Sequence, residues 1–142
     1  MDDIAPVVAF DFCPGDVTVA LDDNCSVDTS VDALGMATAT ASDNCDMPDA
    51  VVTYVDSDTL LGCGPTFEFT RTFTATATDA CGNMATSVSC SHVITVVDTT
   101  APTIDMAAAD ATVECDGAGN AADLDAWLAN NGGASASDAC SG

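Results

Sequence analysis

Thr66-Phe-Glu-Phe-Thr-Arg-Thr-Phe-Thr-Ala-Thr-Ala-Thr78 is the stretch whose pattern decides the fold. Phe67, Phe69, Phe73, Ala75 and Ala77 alternate with Thr66, Glu68, Thr70, Thr72, Thr74, Thr76 and Thr78. Period two of this kind describes a strand with one buried face and one wet face. Asp79-Ala-Cys-Gly-Asn83 follows as a turn, with Gly82 and Asn83 both suited to positive φ. A return strand then runs from around Ala85 to Val97. A turn centred near Cys81 and Gly82 sets Arg71 opposite His92, on the face that Phe69, Phe73 and Ile94 also use. Two polar groups on an apolar face can mark a ligand pocket or a subunit contact, but their ordinary reading is a snorkelling arginine and a satisfied histidine at the sheet rim.

Working outward, Val17 to Leu21, Ala37 to Ala41 with its small inward alanines, and Val51 to Val55 around Tyr54 read as further short strands. Asp, Asn, Gly and Pro separate them, and no long helix competes. The expectation is all-β: an immunoglobulin-like β-sandwich. The one helix predicted is Ala121 to Ala129, with Asn120 able to cap its start and Asn130-Asn-Gly-Gly133 ending it. Leu124, Trp127 and Leu128 share one face of that helix, the spacing of a core plug rather than of a sugar platform.

The chain also repeats itself. Pro6 recurs as Pro102, Val17-Thr-Val19 as Ala111-Thr-Val113, and Ala41-Ser-Asp-Asn-Cys45 as Ala136-Ser-Asp-Ala-Cys140. The offsets are 96, 94 and 95, a steady register with small loop changes. Residues 1–97 therefore read as one complete unit. Residues 98–142 read as the first half of a second, with the strand and the short helix over 121–129. Half a small domain buries too little apolar surface to offset its ordering entropy. Completion is expected either from further sequence or from a neighbouring subunit.

Composition narrows the partners. Lys is absent, Arg71 is the one strongly basic residue, and the formal net charge is -22. Nucleic acid and anionic membranes need a basic footprint, so the charge argues against both and in favour of cations. All 23 acidic residues but Glu68 and Glu114 are Asp, the shorter carboxylate common in turns and in oxygen-lined calcium loops. Eight cysteines without a CxxC pair read as a disulfide framework, and so as an extracellular or cell-surface chain. No apolar run reaches membrane length.

Cys13-Pro14, Asp43-Asn-Cys45, Thr76-Ala-Thr-Asp79 with Gly82-Asn83, Cys90, and the closing Val96-Val-Asp-Thr-Thr-Ala-Pro102 together resemble the hyalin repeat, or HYR domain. The second copy, with Val113-Glu-Cys115, the Trp127 helix and Ser137-Asp-Ala-Cys140, is similar to the immunoglobulin-like repeats of large secreted Bacteroidetes surface proteins. The resemblance implies an extracellular sandwich used in adhesion or as a stalk, and not an enzyme. The chain departs from the simple hyalin pattern by adding Cys63 and Cys81 and by carrying Leu21 where the second copy has Cys115.

Immunoglobulin-like topology predicts the cysteine pairs. Cys45 and Cys81 fall in loops at one end, Cys25 and Cys63 near the other, and Cys13 and Cys90 on strands that commonly run side by side. Cys115 and Cys140 are then expected to find partners outside their half repeat, with a direct Cys115 to Cys140 bridge as the fallback.

The candidate chemistry is a Ca²⁺ site. Asp98 closes one unit and Asp138 falls in a loop at the near end of the next; the matching set in the first unit is Asp2 and Asp3 with Asp43, Asp46 and Asp79. Carboxylates converging at a boundary repel unless a cation bridges them, and Ca²⁺ accepts six to eight oxygens. The bland alternative is that these aspartates cap turns through their own backbones. One His, no phosphate loop and no nucleophile with an adjacent base leave catalysis unsupported. The expected role is structural: a repeat of a fibre, filament, adhesin stalk or surface layer, meeting identical repeats or subunits head to tail by strand addition. The alternative is a module that binds carbohydrate or a host protein, which the single Trp and single Tyr support poorly.

Overall fold

The computed structural model describes residues 2–114, 117 and 119–140 of an all-β chain. In chain order its elements are β1 (Val7–Phe12), β2 (Val17–Ala20), the single-turn helix α1 (Val31–Leu34), β3 (Thr38–Ser42), β4 (Val51–Asp56), β5 (Leu60–Leu61), β6 (Phe67–Thr76), β7 (Val88–Val97), β8 (Thr103–Met106), α2 (Ala121–Ala129), a 3-10 turn Asn131–Gly133, and β9 (Ser135–Ser137).

The Thr-Phe stretch forms β6, which pairs antiparallel with β7 in the register that the turn implies, Arg71 facing His92. The return strand starts at Val88 rather than Ala85, because the turn first closes through an isolated Thr78 to Met84 bridge. β2 lies parallel to β7 on one side, and β4 and β5 lie antiparallel to β6 on the other, giving a five-stranded sheet. β1 and β3 form a separate antiparallel ribbon.

One face of the sheet is dry. Phe69, Phe73, Ala75 and Ala77 from β6 and its end, with Ile94 and Val96 from β7, are buried, while the intervening threonines stay partly exposed. Burying a side chain such as Phe73 or Ile94 contributes roughly 1.5–3 kcal/mol. The ribbon covers one end of this face: Val8 meets Ala75 and Ala77, with Phe10, Ala39, Ala41, Val52 and Val88 packed around them. Small alanines here let the two layers approach closely. At the other end Leu21, Phe69, Ile94 and Val96 enclose Cys140.

Arg71 and His92 lie between those two clusters, not at a rim. They are 3 % and 1 % exposed, as the inward alternation of β6 and β7 dictates. Arg71 gives Nε and Nη2 to Asp56, at 2.7 and 2.8 Å, and stacks over the rings of Tyr54 and Phe69. The Asp56 hydrogen bonds raise its guanidinium pKa further above the ordinary value. His92 stacks on Phe73, and its Nδ1 meets Gly15 O at 3.1 Å.

Three contacts pin the crossing from β1 to β2 onto β7. Cys13 is disulfide-bonded to Cys90, His92 holds Gly15, and Val93 N–H donates to Asp16 Oδ1 at 2.8 Å. The chain leaves the ribbon and joins the sheet at this point.

The other pairings differ from the expected ones. Cys25 bonds Cys140 across a sequence separation of 115, in place of Cys63. The loop after β9 folds back so that Cys140 is buried against the first unit, whereas Cys63 sits in an exposed turn whose carbonyl accepts from Thr66. Cys140 thus has its partner outside residues 98–142 but in the preceding unit, which also overturns a Cys115 to Cys140 bridge. Cys115 itself lies outside the described residues. Cys45 and Cys81 are not bridged; both are exposed thiols in loops at the same end.

Residues 103–137 rebuild part of the first unit. β8 pairs with β9 as β1 pairs with β3: Val7 to Ser42 becomes Thr103 to Ser137, offsets of 96 and 95, and Val8 to Ala41 becomes Ile104 to Ala136. Both ladders are irregular, but at different places: between Phe10 and Phe12 in the first, and between Ile104 and Met106, the equivalents of Val8 and Phe10, in the second. Burial is where they part, since Val8 is 5 % exposed and Ile104 is 74 % exposed. The α2 helix has the expected bounds, but Asn120 does not cap it with its side chain, donating instead to Glu114 O. Trp127 is half-buried; its Nε1–H donates to Ala109 O at 2.9 Å, while Leu124 and Leu128 remain exposed.

Candidate metal centre

Asp2, Asp43 and Asp79 each bring a carboxylate oxygen to one point, all within 4.8 Å of one another. Three elements far apart in sequence position them. Asp2 precedes β1, Asp43 follows β3, and Asp79 opens the turn after β6.

Each carboxylate is set by a local turn. Asp2 Oδ1 accepts from Ile4 N–H at 3.1 Å, and Asp43 Oδ2 accepts from Cys45 N–H at 3.1 Å. Asp79 accepts from both the backbone and the side chain of Asn83, at 2.8 and 2.7 Å. In the same turn Gly82 N–H donates to Asp79 O, and Gly82 alone takes the positive φ, +93°; Asn83 does not. Asn83 is instead the clamp of the site, because its amide also reaches Asp2 O at 3.2 Å and Ile4 O at 3.3 Å, tying the segment before β1 to the turn. The Asn44 amide, turned so that its nitrogen faces the acids, reaches Asp43 Oδ2 at 2.9 Å and Asp2 Oδ2 at 3.3 Å.

These bonds favour the ionised forms of Asp79 and Asp2. Burial would raise the Asp79 pKa, but the hydrogen bonds from Asn83, Cys81 and Gly82 outweigh it and hold the carboxyl below its usual range. Asp2 is likewise lowered, first by the Ile4 backbone hydrogen bond and then by the Cys45 thiol. The converse effect falls on Cys45, whose thiol is pushed up by its hydrogen bond to Asp2 and by the charges of Asp2, Asp43 and Cys81. Held in that form, it is a poor nucleophile for disulfide exchange.

Of the predicted ligands, Asp3 and Asp46 stay outside the cluster. Asp46 Oδ2 accepts from Ala80 N–H at 2.8 Å, so it joins the Asp43 loop to the Asp79 turn. Asp98 and Asp138 repeat the turns of Asp2 and Asp43, accepting from Thr100 and Cys140 N–H at 2.8 Å each, but among the described residues neither belongs to a cluster of three carboxylates. An all-oxygen set of carboxylates, with the Asp2 and Ile4 carbonyls close by, suits a hard cation better than one that prefers sulfur or imidazole.

Compared with known proteins, the chain matches no family model, no curated protein and no solved structure. The two disulfides among the described residues fit an oxidising compartment. Among the described residues no helix is long and apolar enough to cross a membrane.

Proposed function

We propose that the chain is a structural repeat of an extracellular fibre, filament, adhesin stalk or surface layer, built on an immunoglobulin-like sandwich and not acting as an enzyme. The observation that carries this reading is the β1–β3 ribbon remade as β8–β9, where Thr103 to Ser137 and Ile104 to Ala136 repeat the pairs Val7 to Ser42 and Val8 to Ala41. A unit that recurs so closely is the mark of an array whose neighbours share interfaces. Disulfides rigidify it, and Ca²⁺ held by Asp2, Asp43 and Asp79 fixes the segment before β1 to the two loops beside it. Head-to-tail contact follows from the second ribbon, whose Ile104 and Met106 are exposed where Val8 is covered. A strand or sheet from an identical neighbour would cover them. The carbohydrate-binding alternative draws little support from Trp127, whose indole N–H is already committed to Ala109.

Light scattering of the oxidised chain in millimolar calcium, then after chelation, tests assembly: large particles that shrink on chelation are expected, and a monomer in both conditions overturns it. Thermal unfolding tests the ion separately. Calcium at about a hundredfold excess over its Kd raises stability by about 2.7 kcal/mol, and Asp79→Asn abolishes that gain; an unchanged melting temperature on adding calcium overturns the site.

A further inference from the structure

Buried polar groups in folded proteins nearly always have a hydrogen-bond partner, so those without one in the protein mark places for something else. Two such atoms sit on the dry face of the sheet. Arg71 Nη1 and His92 Nε2 are both shielded from solvent and have no partner among the described residues. Their side chains are 3 % and 1 % exposed, and the two residues stand directly opposite one another on β6 and β7.

The chemistry of the two atoms is complementary. Gly15 O can only accept, so in the neutral ring His92 Nδ1 carries the hydrogen and Nε2 presents a lone pair. Arg71 has committed Nε and Nη2 to Asp56, which leaves the Nη1 hydrogens as donors. A donor and an acceptor opposite each other in an apolar setting are joined by a molecule that can do both. The charge of Arg71 is already balanced by Asp56, so the site has no need of an anion.

We propose that Arg71 and His92 form an internal binding site for one small neutral hydroxylic molecule, water itself, with Arg71 Nη1 donating to its oxygen and its O–H donating to His92 Nε2. The bound water completes a polar chain that runs from Asp56 on β4, through Arg71 on β6 and His92 on β7, to Gly15 in the crossing from β1 to β2. Phe73 stacks on His92, and the rings of Tyr54 and Phe69 lie against Arg71, beside the two shielded atoms. One molecule thereby makes continuous, through side chains, a path that crosses three neighbouring strands of the sheet and reaches the crossing that leads into β2. An ordered water held between two polar atoms in this way gives up some freedom of motion and removes two unsatisfied groups.

Two measurements on the oxidised, full-length chain test this. Long-range nitrogen–proton NMR correlation of the His92 ring is expected to show hydrogen on Nδ1 and a bare Nε2. Water–protein cross-relaxation is expected to show a long-lived water beside the His92 ring and the Arg71 guanidinium, lost in His92→Phe, which keeps the stack on Phe73 but has no acceptor. Hydrogen found on Nε2, in either the neutral ring or the imidazolium, overturns the proposal. So does a high-resolution crystal structure in which Nη1 bonds Nε2 directly or in which no density bridges them. The wild-type protein alone decides the matter if His92→Phe does not fold.

Discussion

Removing the Cys13–Cys90 bridge should cost this protein a large share of its stability through the unfolded state. The bridge closes 77 residues, and by the chain-entropy relation a loop of that size withholds about 4.5 kcal/mol of freedom from the unfolded chain. The folded state has little reason to change in Cys13→Ala with Cys90→Ala, because the crossing from β1 to β2 keeps its other two pins, Gly15 on His92 and Asp16 on Val93. A domain of this size has about 5–15 kcal/mol in all, so the variant stays folded with a narrow margin. The assay is urea unfolding followed by far-ultraviolet circular dichroism, with every free thiol, Cys45, Cys63 and Cys81 among them, alkylated in parent and variant alike so that exchange cannot occur. Two changes are expected together: a lower midpoint, and a steeper dependence on urea, because an uncrosslinked chain exposes more surface when it unfolds. A loss below about 1 kcal/mol, or an unchanged slope, would refute the entropic account.

Phe73→Ala removes a ring that is fully buried and sits against both Tyr54 and His92; about 3–5 kcal/mol is expected to be lost, and hydrogen exchange should rise along β6 and β7 ahead of β8 and β9. Gly132 has φ +63°, and a Cβ there would come within 2.7 Å of the Trp127 ring. Gly132→Ala should therefore displace the indole and shift its fluorescence to the red while leaving the Tyr54 signal unchanged. The lowered pKa of Asp79 makes a pH prediction. Its contribution is fully present above the unfolded carboxyl value near about 4 and is lost as pH falls through the depressed folded value. In chelator, thermal unfolding of Asp79→Asn should fall less steeply than that of the parent below about pH 4; parallel curves would show that the Asn83 bonds do not carry the shift.

The β6–β7 hairpin was legible because its two faces differ in every alternate residue and its turn is centred unambiguously, so the Arg71 to His92 register follows from counting. The same rule shows Arg71 and His92 pointing inward, yet a charged group is ordinarily placed at a rim; only Asp56, on a different strand, makes the interior tolerable. β1 escaped reading because Val7-Val-Ala-Phe10 is a continuous apolar run in which only Val8 is fully buried. At the candidate metal centre the repeat landmarks picked out Asp2 and Asp43 as loop aspartates, and the turn after the Thr-Phe strand picked out Asp79. Nothing in the sequence separates them from Asp3 and Asp46, since a one-residue step in an extended segment reverses the direction of the side chain. The role of Asn83 depends on the segment before β1 lying against the turn, a contact spanning 81 residues. The Cys25–Cys140 pair was hidden for a related reason, since it needs the second ribbon to fold back on the first unit.

That last bridge decides what happens when the chain is pulled from its two ends. Force entering near Asp2 travels along the backbone to Cys25, crosses the sulfur atoms, and leaves at Cys140. The 115-residue span between the two cysteines lies off this path, so about 390 Å of contour, at about 3.4 Å per residue, cannot be drawn out until a covalent bond is cut. β3 to β9 are all within it, and only β1 and β2 can be peeled away. Under tension the molecule behaves as a short tether carrying a sealed fold, and adding a reductant would convert it into a long one.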